Sequence, residues 1–254
     1  MIDIGDARFA YDESGSGRAL LCLHGGWGRA VMPFEEASRA FASKYRVIAP
    51  DRRGYGESSP AERFDVGYHE EAMLDLRALL EALGLVRGAE PPILWGHSDG
   101  AVIAALYGSR FPDDVSALVL EAVHYRRRKS IEFFSRLAAD PNELPAHVLD
   151  RIATGERNAA HVIRRHSQAW LDLGAAGGSF YGPGILESIR CPVLVLHGAK
   201  DIHTPVEEIE ELARRIARVE VEILPQGGHC PHSERETAAI CTARVARFLD
   251  EHGI

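Results

Sequence analysis

The sequence is short of cysteine, of long apolar runs and of positive charge. Four cysteines stand at positions 22, 191, 230 and 241. Their spacing matches neither a disulfide framework nor a zinc-binding pattern, so a reducing, cytoplasmic setting is expected. No apolar stretch approaches the roughly 20 residues that span a bilayer, so no membrane association is expected. Met1 to Asp6 carries no basic patch and no apolar core, so a secretory signal is not expected either. A net charge of −8 argues against a nucleic-acid groove. Internal repeats and low-complexity segments are absent. What remains is ordinary globular usage, 46% hydrophobic and 26% charged. The 254 residues suit one domain with a sizeable core, or a core with a modest insertion.

Strand-like and helix-like patterns alternate along most of the chain. Residues 2–14 alternate polar and apolar, as an edge hairpin strand would. Ala19–Leu23 is a continuous apolar run, and Tyr45–Ala49, Ile93–Trp95, Ala117–Val123 and Pro192–Leu196 also read as strands, mostly apolar as strands covered on both faces are. Helical stripes fall between them, notably Ala72, Leu76, Leu79, Leu80 and Leu83, closed by Gly84. This predicts a largely parallel sheet with helices on both faces. The pattern breaks at His124. Residues 124–187 are helical and irregular, and end in a glycine-rich hinge from Gly174 to Gly184. The chain thus divides into an α/β core, 1–123 and 188–254, and a helical lid, 124–187. Thr204-Pro205-Val206-Glu207 predicts one helix start, and Ser233 with Glu236 a second.

The chemistry centres on Gly96-His97-Ser98-Asp99-Gly100, set between a strand run and a helix run. Ser98 then sits on a tight strand-to-helix turn, its hydroxyl raised for attack and helix N–H groups aimed at an oxyanion. A serine hydroxyl needs a base, and the base needs an orienting acid. Asp201 follows one buried strand and His229 the next, so both belong at the same sheet edge as Ser98.

These motifs resemble the α/β-hydrolase fold family. The resemblance covers nearly the whole chain outside 124–187. It rests on His-Gly-Gly at 24–26, Asp-Arg-Arg-Gly-Tyr-Gly-Glu-Ser at 51–58, the elbow at 96–100, and Arg-Phe-Pro-Asp-Asp-Val at 110–115. His-Gly-Ala-Lys-Asp at 197–201 and Gly-Gly-His at 227–229 complete it. It implies an eight-stranded, mostly parallel sheet. The carboxyl end is similar to valacyclovirase-like (biphenyl hydrolase-like) members, which pair a Ser-Asp-Gly elbow with a lid tryptophan and a Cys-Pro strand start; here these are Trp170 and Cys191-Pro192. The expected roles are Ser98 as nucleophile, His229 as base and Asp201 as its acid. Backbone N–H groups of Gly26 and Asp99 would form the oxyanion hole. The expected enzyme cleaves a small ester through an acyl-enzyme, with α-amino-acid esters among the candidates. It needs a small-molecule substrate but no cofactor, metal or obligate protein partner. A lactonase, an aminopeptidase, a cofactor-free haloperoxidase, a carbon–carbon bond hydrolase and a slow-turnover ligand-sensing regulator share the pattern.

Several residues carry competing readings. Asp99 either stabilises the helix start or reaches a substrate ammonium, as the valacyclovirase resemblance implies. Trp27, Tyr125 and Trp170 are expected in the substrate pocket, with Phe133, Phe134 and Tyr181 as further candidate walls. His97, His24 and His197 read as structural, His232 as support behind the triad, and Glu121 as the rival acid. Residues 124–185 hold nine Arg and Lys against six Asp and Glu. Their run at 126–129 is either a solvated face or an attractor for an anionic substrate.

Overall fold

The computed structural model describes residues 1–254 except Glu62 and Ala89. The N-terminal part forms β1 (Ile2–Ile4), β2 (Ala7–Phe9), β3 (Tyr11–Ser14), β4 (Arg18–Leu23), α1 (Glu35–Phe41) and β5 (Tyr45–Pro50). Then come α2 (Tyr68–Ala82), β6 (Ile93–His97), α3 (Asp99–Arg110) and β7 (Ala117–Glu121). Three helices follow, α4 (Ile131–Ala139), α5 (Ala146–Gly155) and α6 (Ala159–Ala176). The chain closes with β8 (Val193–Gly198), α7 (Val206–Ala213), β9 (Val219–Leu224) and α8 (Ala238–Glu251).

The main sheet has the order β3-β5-β4-β6-β7-β8-β9, with β3 antiparallel to β5 and every other pair parallel. Strands β6, β7 and β8 are buried along their whole length, which is why their sequences are apolar without alternation. Strand β9 is an edge and keeps polar positions. Side-chain parity divides the core in two. Leu21, Leu23, Leu94, Leu118 and Leu120 pack with residues of α2, α3 and α7. Leu20, Cys22, Trp95, Val119 and Leu194 pack with residues of α1 and α8. Each such leucine contributes about 2 kcal/mol by leaving water. All four cysteines are buried and free.

The main sheet holds seven strands rather than the expected eight. Ala10 is the cause. Its N–H donates to Ser58 Oγ at 2.9 Å and its carbonyl accepts from Asp51 at 2.9 Å. The run from Ala7 to Ser14 therefore breaks there. The first half pairs with β1 as a separate ladder and the second joins β5.

Segment 124–187 is helical, as expected. Leu137, Leu144, Ile152 and Ile163 make a small core with Val31, while Phe134, Trp170 and Leu173 join the sheet core. Helix α6 starts on Asn158, whose side chain accepts from His161, and ends at Gly177 with φ 68. Gly174 is thus inside a helix, not in a hinge. Neither expected helix start forms as read. Thr204 turns its hydroxyl to His124 instead of capping α7. Ser233 bonds back to Cys230, and α8 begins only at Ala238. Among the described residues no helix is long and apolar enough to cross a membrane.

Candidate active site

Ser98 joins β6 to α3 with φ 53 and ψ −117, a strained conformation for a residue with a side chain. Backbone hydrogen bonds hold it there. Its N–H donates to Glu121 O at 2.9 Å, and its carbonyl accepts from Val102 at 3.1 Å. A Cβ at Gly96 would overlap the Gly100 carbonyl, and one at Gly100 would overlap the Leu23 carbonyl. Only glycine lets the turn close against β4.

The loops after β6, β8 and β9 bring Ser98, Asp201 and His229 together. Ser98 Oγ lies 3.0 Å from His229 Nε2, and His229 Nδ1 lies 2.8 Å from Asp201 Oδ2. Asp201 Oδ1 accepts from the His203 N–H at 2.7 Å. Burial pushes the Asp201 carboxyl up, but the charge and hydrogen bond of His229 outweigh it and leave Asp201 below the usual carboxylate range. The loop histidines act as staples. His197 Nε2 donates to Thr204 O at 3.0 Å. His24 Nε2 accepts from the Arg52 N–H at 3.0 Å. The rival acid is occupied elsewhere: Glu121 accepts from Trp95 Nε1 at 3.0 Å and from His232 Nδ1 at 2.7 Å. His232 Nε2 donates to Met32 O at 3.2 Å, so both its nitrogens are engaged.

A second imidazole reaches the nucleophile. His124 Nε2 is 3.1 Å from Ser98 Oγ, and its Nδ1 is 2.6 Å from Thr204 Oγ1. Proton bookkeeping assigns its tautomer. Ser98 has one hydroxyl proton, and it goes to His229. His124 must then donate from Nε2 and accept the Thr204 hydroxyl at Nδ1. Burial and the Lys129 ammonium hold the His124 imidazole well below its usual range, so it stays neutral. The sequence marked His124 only as the place where alternation stops.

Gly25 stands against Ser98, whose Cβ lies 3.0 Å from where a Gly25 Cβ would be. The backbone N–H groups of the next residue, Gly26, and of Asp99 make no loop hydrogen bond among the described residues. Beside Gly26 stands His166 of α6, its Nε2 filling the space a Cβ would take. The sequence reading missed His166. Its placement four residues before Trp170, on one helix face, was the available signal.

The Asp99 carboxylate is fully buried and faces three groups: His69 Nε2 at 3.4 Å, His166 Nδ1 at 3.6 Å and Arg52 at 3.7 Å. Burial opposes its ionisation, but the imidazoles of His166 and His69 that face it keep it well below the usual range. Arg52 also donates to Gly25 O at 2.7 Å, tying the carboxylate to the Gly25-Gly26 loop.

Trp27 and Trp170 lie beside His166 and His124. The Trp27 ring is 6.1 Å from His166, and the Trp170 ring 4.9 Å from His124. Phe133 and Phe134 close over His203, which stacks edge-on against His229 at 4.8 Å. Tyr125 is engaged away from Ser98, stacking on Tyr181 and accepting from Arg215 at 3.1 Å. Ser98 is only 2% exposed beneath these groups.

A model of the alpha/beta hydrolase family matches residues 20–243. Among curated proteins, serine hydrolase BPHL of Homo sapiens is 23% identical over 91% of this chain and 80% of its own length. The pimeloyl-[acyl-carrier protein] methyl ester esterase of Chromobacterium violaceum is 28% identical over 94% of this chain and 95% of its own. The solved enol-lactonase of Burkholderia xenovorans superposes with a TM-score of 0.75 at 17% identity, covering 97% of this chain and 98% of that one.

Proposed function

From the premise that this chain belongs to the α/β-hydrolase family, we propose that it is a serine hydrolase that cleaves a small carboxylic ester through an acyl-enzyme. The observation that carries this reading is the hydrogen-bonded chain from Ser98 through His229 to Asp201, with links of 3.0 and 2.8 Å. Ser98 Oγ attacks the ester carbonyl and His229 Nε2 takes its proton. Asp201 remains ionised and stabilises the imidazolium. The oxyanion accepts from the N–H groups of Gly26 and Asp99, each such donor being worth about 3 kcal/mol in the transition state. The bond to the alcohol oxygen breaks as His229 returns the proton to it. Water then attacks the acyl-serine and gives its proton to His229. The acid leaves, and Ser98 recovers its hydroxyl. His124 Nε2–H, aimed at Oγ, steadies the alkoxide that develops there.

Segment 124–187 is read as a lid. Ser98 is buried beneath its helices and side chains, so a substrate enters only when the segment shifts. An α-amino-acid ester is the substrate the resemblance brings forward, with Asp99 holding its ammonium. Against it, Asp99 already faces Arg52, His69 and His166. The arrangement favours an ester without an ammonium, and Asp99 as the group that positions His166 and the Gly26 loop.

A fluorophosphonate probe tests the reading. It is expected to label Ser98 stoichiometrically, and Asp201→Asn is expected to lower kcat on simple ethyl esters by about 10⁴. Absence of both labelling and turnover would leave the ligand-sensing regulator as the reading to adopt.

A further inference from the structure

We infer that the site at Ser98 recognises a substrate carboxylate through Lys129, so that the preferred substrates are half-esters of dicarboxylic acids. The inference rests on the serine-hydrolase reading and names the substrate class for that same site.

The basic run at 126–129 divides by direction. Arg126 pairs with Glu211 at 2.5 Å and Arg127 with Glu70 at 3.5 Å. Arg128 is exposed. Lys129 turns inward. Its Nζ lies 4.0 Å over the Trp170 ring centroid and 5.7 Å from that of Phe134. The Trp170 ring is next to His124, which touches the nucleophile. Lys129 makes no ion pair among the described residues, although Arg126 and Arg127 beside it do.

A second observation points the same way. Among the described residues, two buried donors beside the site lack an acceptor, as the two Asp99 carboxylate oxygens lack a donor. Trp27 Nε1 and Trp170 Nε1 are buried indole N–H groups without an acceptor among the described residues. An indole N–H can only donate. Leaving a buried donor unpaired is costly, so a ligand that fits here brings acceptor oxygens. Asp99 is paired with Arg52 at 3.7 Å, and the Asp201 carboxylate is engaged with His229. The imidazoles of His124, His166 and His203 are held low by burial and stay neutral. Lys129 is the cation there with no ion-pair partner among the described residues, and a carboxylate is the acceptor that would pair with it. Burial also lowers the Lys129 ammonium to about 8, as expected for a cation waiting for its counter-ion.

Three ethyl esters with acyl chains of one length separate the possibilities: monoethyl adipate, ethyl hexanoate and ethyl 6-aminohexanoate, each followed by acid release in a pH-stat. The native enzyme is expected to prefer monoethyl adipate over ethyl hexanoate in kcat/KM. In Lys129→Met that preference ratio is expected to fall about 30-fold, mainly through KM, with partial retention in Lys129→Arg. A ratio unchanged by Lys129→Met, or a native preference for the amino ester, overturns the inference. A binding readout separates this failure from failure of the catalytic reading. Free adipate is expected to bind Ser98→Ala by calorimetry and to bind Ser98→Ala/Lys129→Met at least about tenfold more weakly. If adipate binds both equally or neither, the carboxylate subsite is wrong even where fluorophosphonate labels Ser98. If it binds as expected while Ser98 resists labelling, the subsite stands and the hydrolase reading falls.

Discussion

His97 Nε2 donates to the backbone carbonyl of His229 at 2.8 Å, so the residue before Ser98 holds the main chain of His229. Burial lowers the His97 imidazole to about 3, which keeps it a neutral donor near neutral pH. The two partners of the Ser98–His229 hydrogen bond are thereby fixed to one another without passing through that bond.

His97→Phe keeps the ring and removes the donor. The expected result is a fall of about 10- to 100-fold in kcat, because His229 loses its alignment with Ser98. Steady-state kinetics on one ester checks it. A change confined to KM would contradict the role.

His124 is tested through its proton. His124→Phe is expected to lower kcat by about tenfold or more, the worth of one hydrogen bond to a developing charge. Thr204→Val removes the hydroxyl that fixes the tautomer, and is expected to move kcat in the same direction by less. Pre-steady-state acylation rates read both. If Thr204→Val acylates at the native rate, the assigned tautomer is wrong.

Asp99→Asn leaves the Arg52 guanidinium buried without its counter-charge. A loss of about 3 kcal/mol in unfolding free energy is expected, measured by denaturant titration. Aminoacyl and neutral acyl esters should lose kcat/KM to the same degree. A loss confined to aminoacyl esters would restore Asp99 as an ammonium site.

On the proposed reading of segment 124–187 as a lid, Glu156 at the end of α5 gives its docking a pH dependence. Its Oε1 accepts from the Gly56 N–H at 2.9 Å, and it sits against Gly28. Burial raises its carboxyl from 4.5 to about 7, Asp51 pushing the same way and the Gly56 N–H, Arg165 and Arg52 opposing. The docked lid therefore binds a proton that the open lid releases. Docking is strongest at low pH and weakens as pH rises towards about 7. Limited proteolysis within 124–187 is expected to quicken across that interval. Glu156→Gln should flatten the profile.

Much of this was legible in the sequence because sheet chemistry is positional. The elbow glycines and Asp201 each end an apolar run, His229 follows the alternating strand β9, and parallel strands bring such ends to one edge. His124, His166 and Lys129 were not legible as a group. They lie on a turn and on segment 124–187, and their meeting depends on how α6 docks on the Gly26 loop. Tyr125 shows the limit most simply. It is as aromatic and as close in sequence as His124, yet Tyr181 and Arg215 engage it instead. The seventh-or-eighth strand question turned on Ala10, where a serine 48 residues away takes the hydrogen bond a ladder would have used.

The four buried thiols give the molecule a stopwatch with two hands. Cys22 and Cys241 lie in the core beneath α1 and α8. Cys230 follows His229 directly and packs against Met32. A thiol-selective reagent added to the folded protein would reach Cys230 when the site opens, but Cys22 and Cys241 only when the sheet itself comes apart. The fast reaction times the breathing of the site and the slow one the lifetime of the fold.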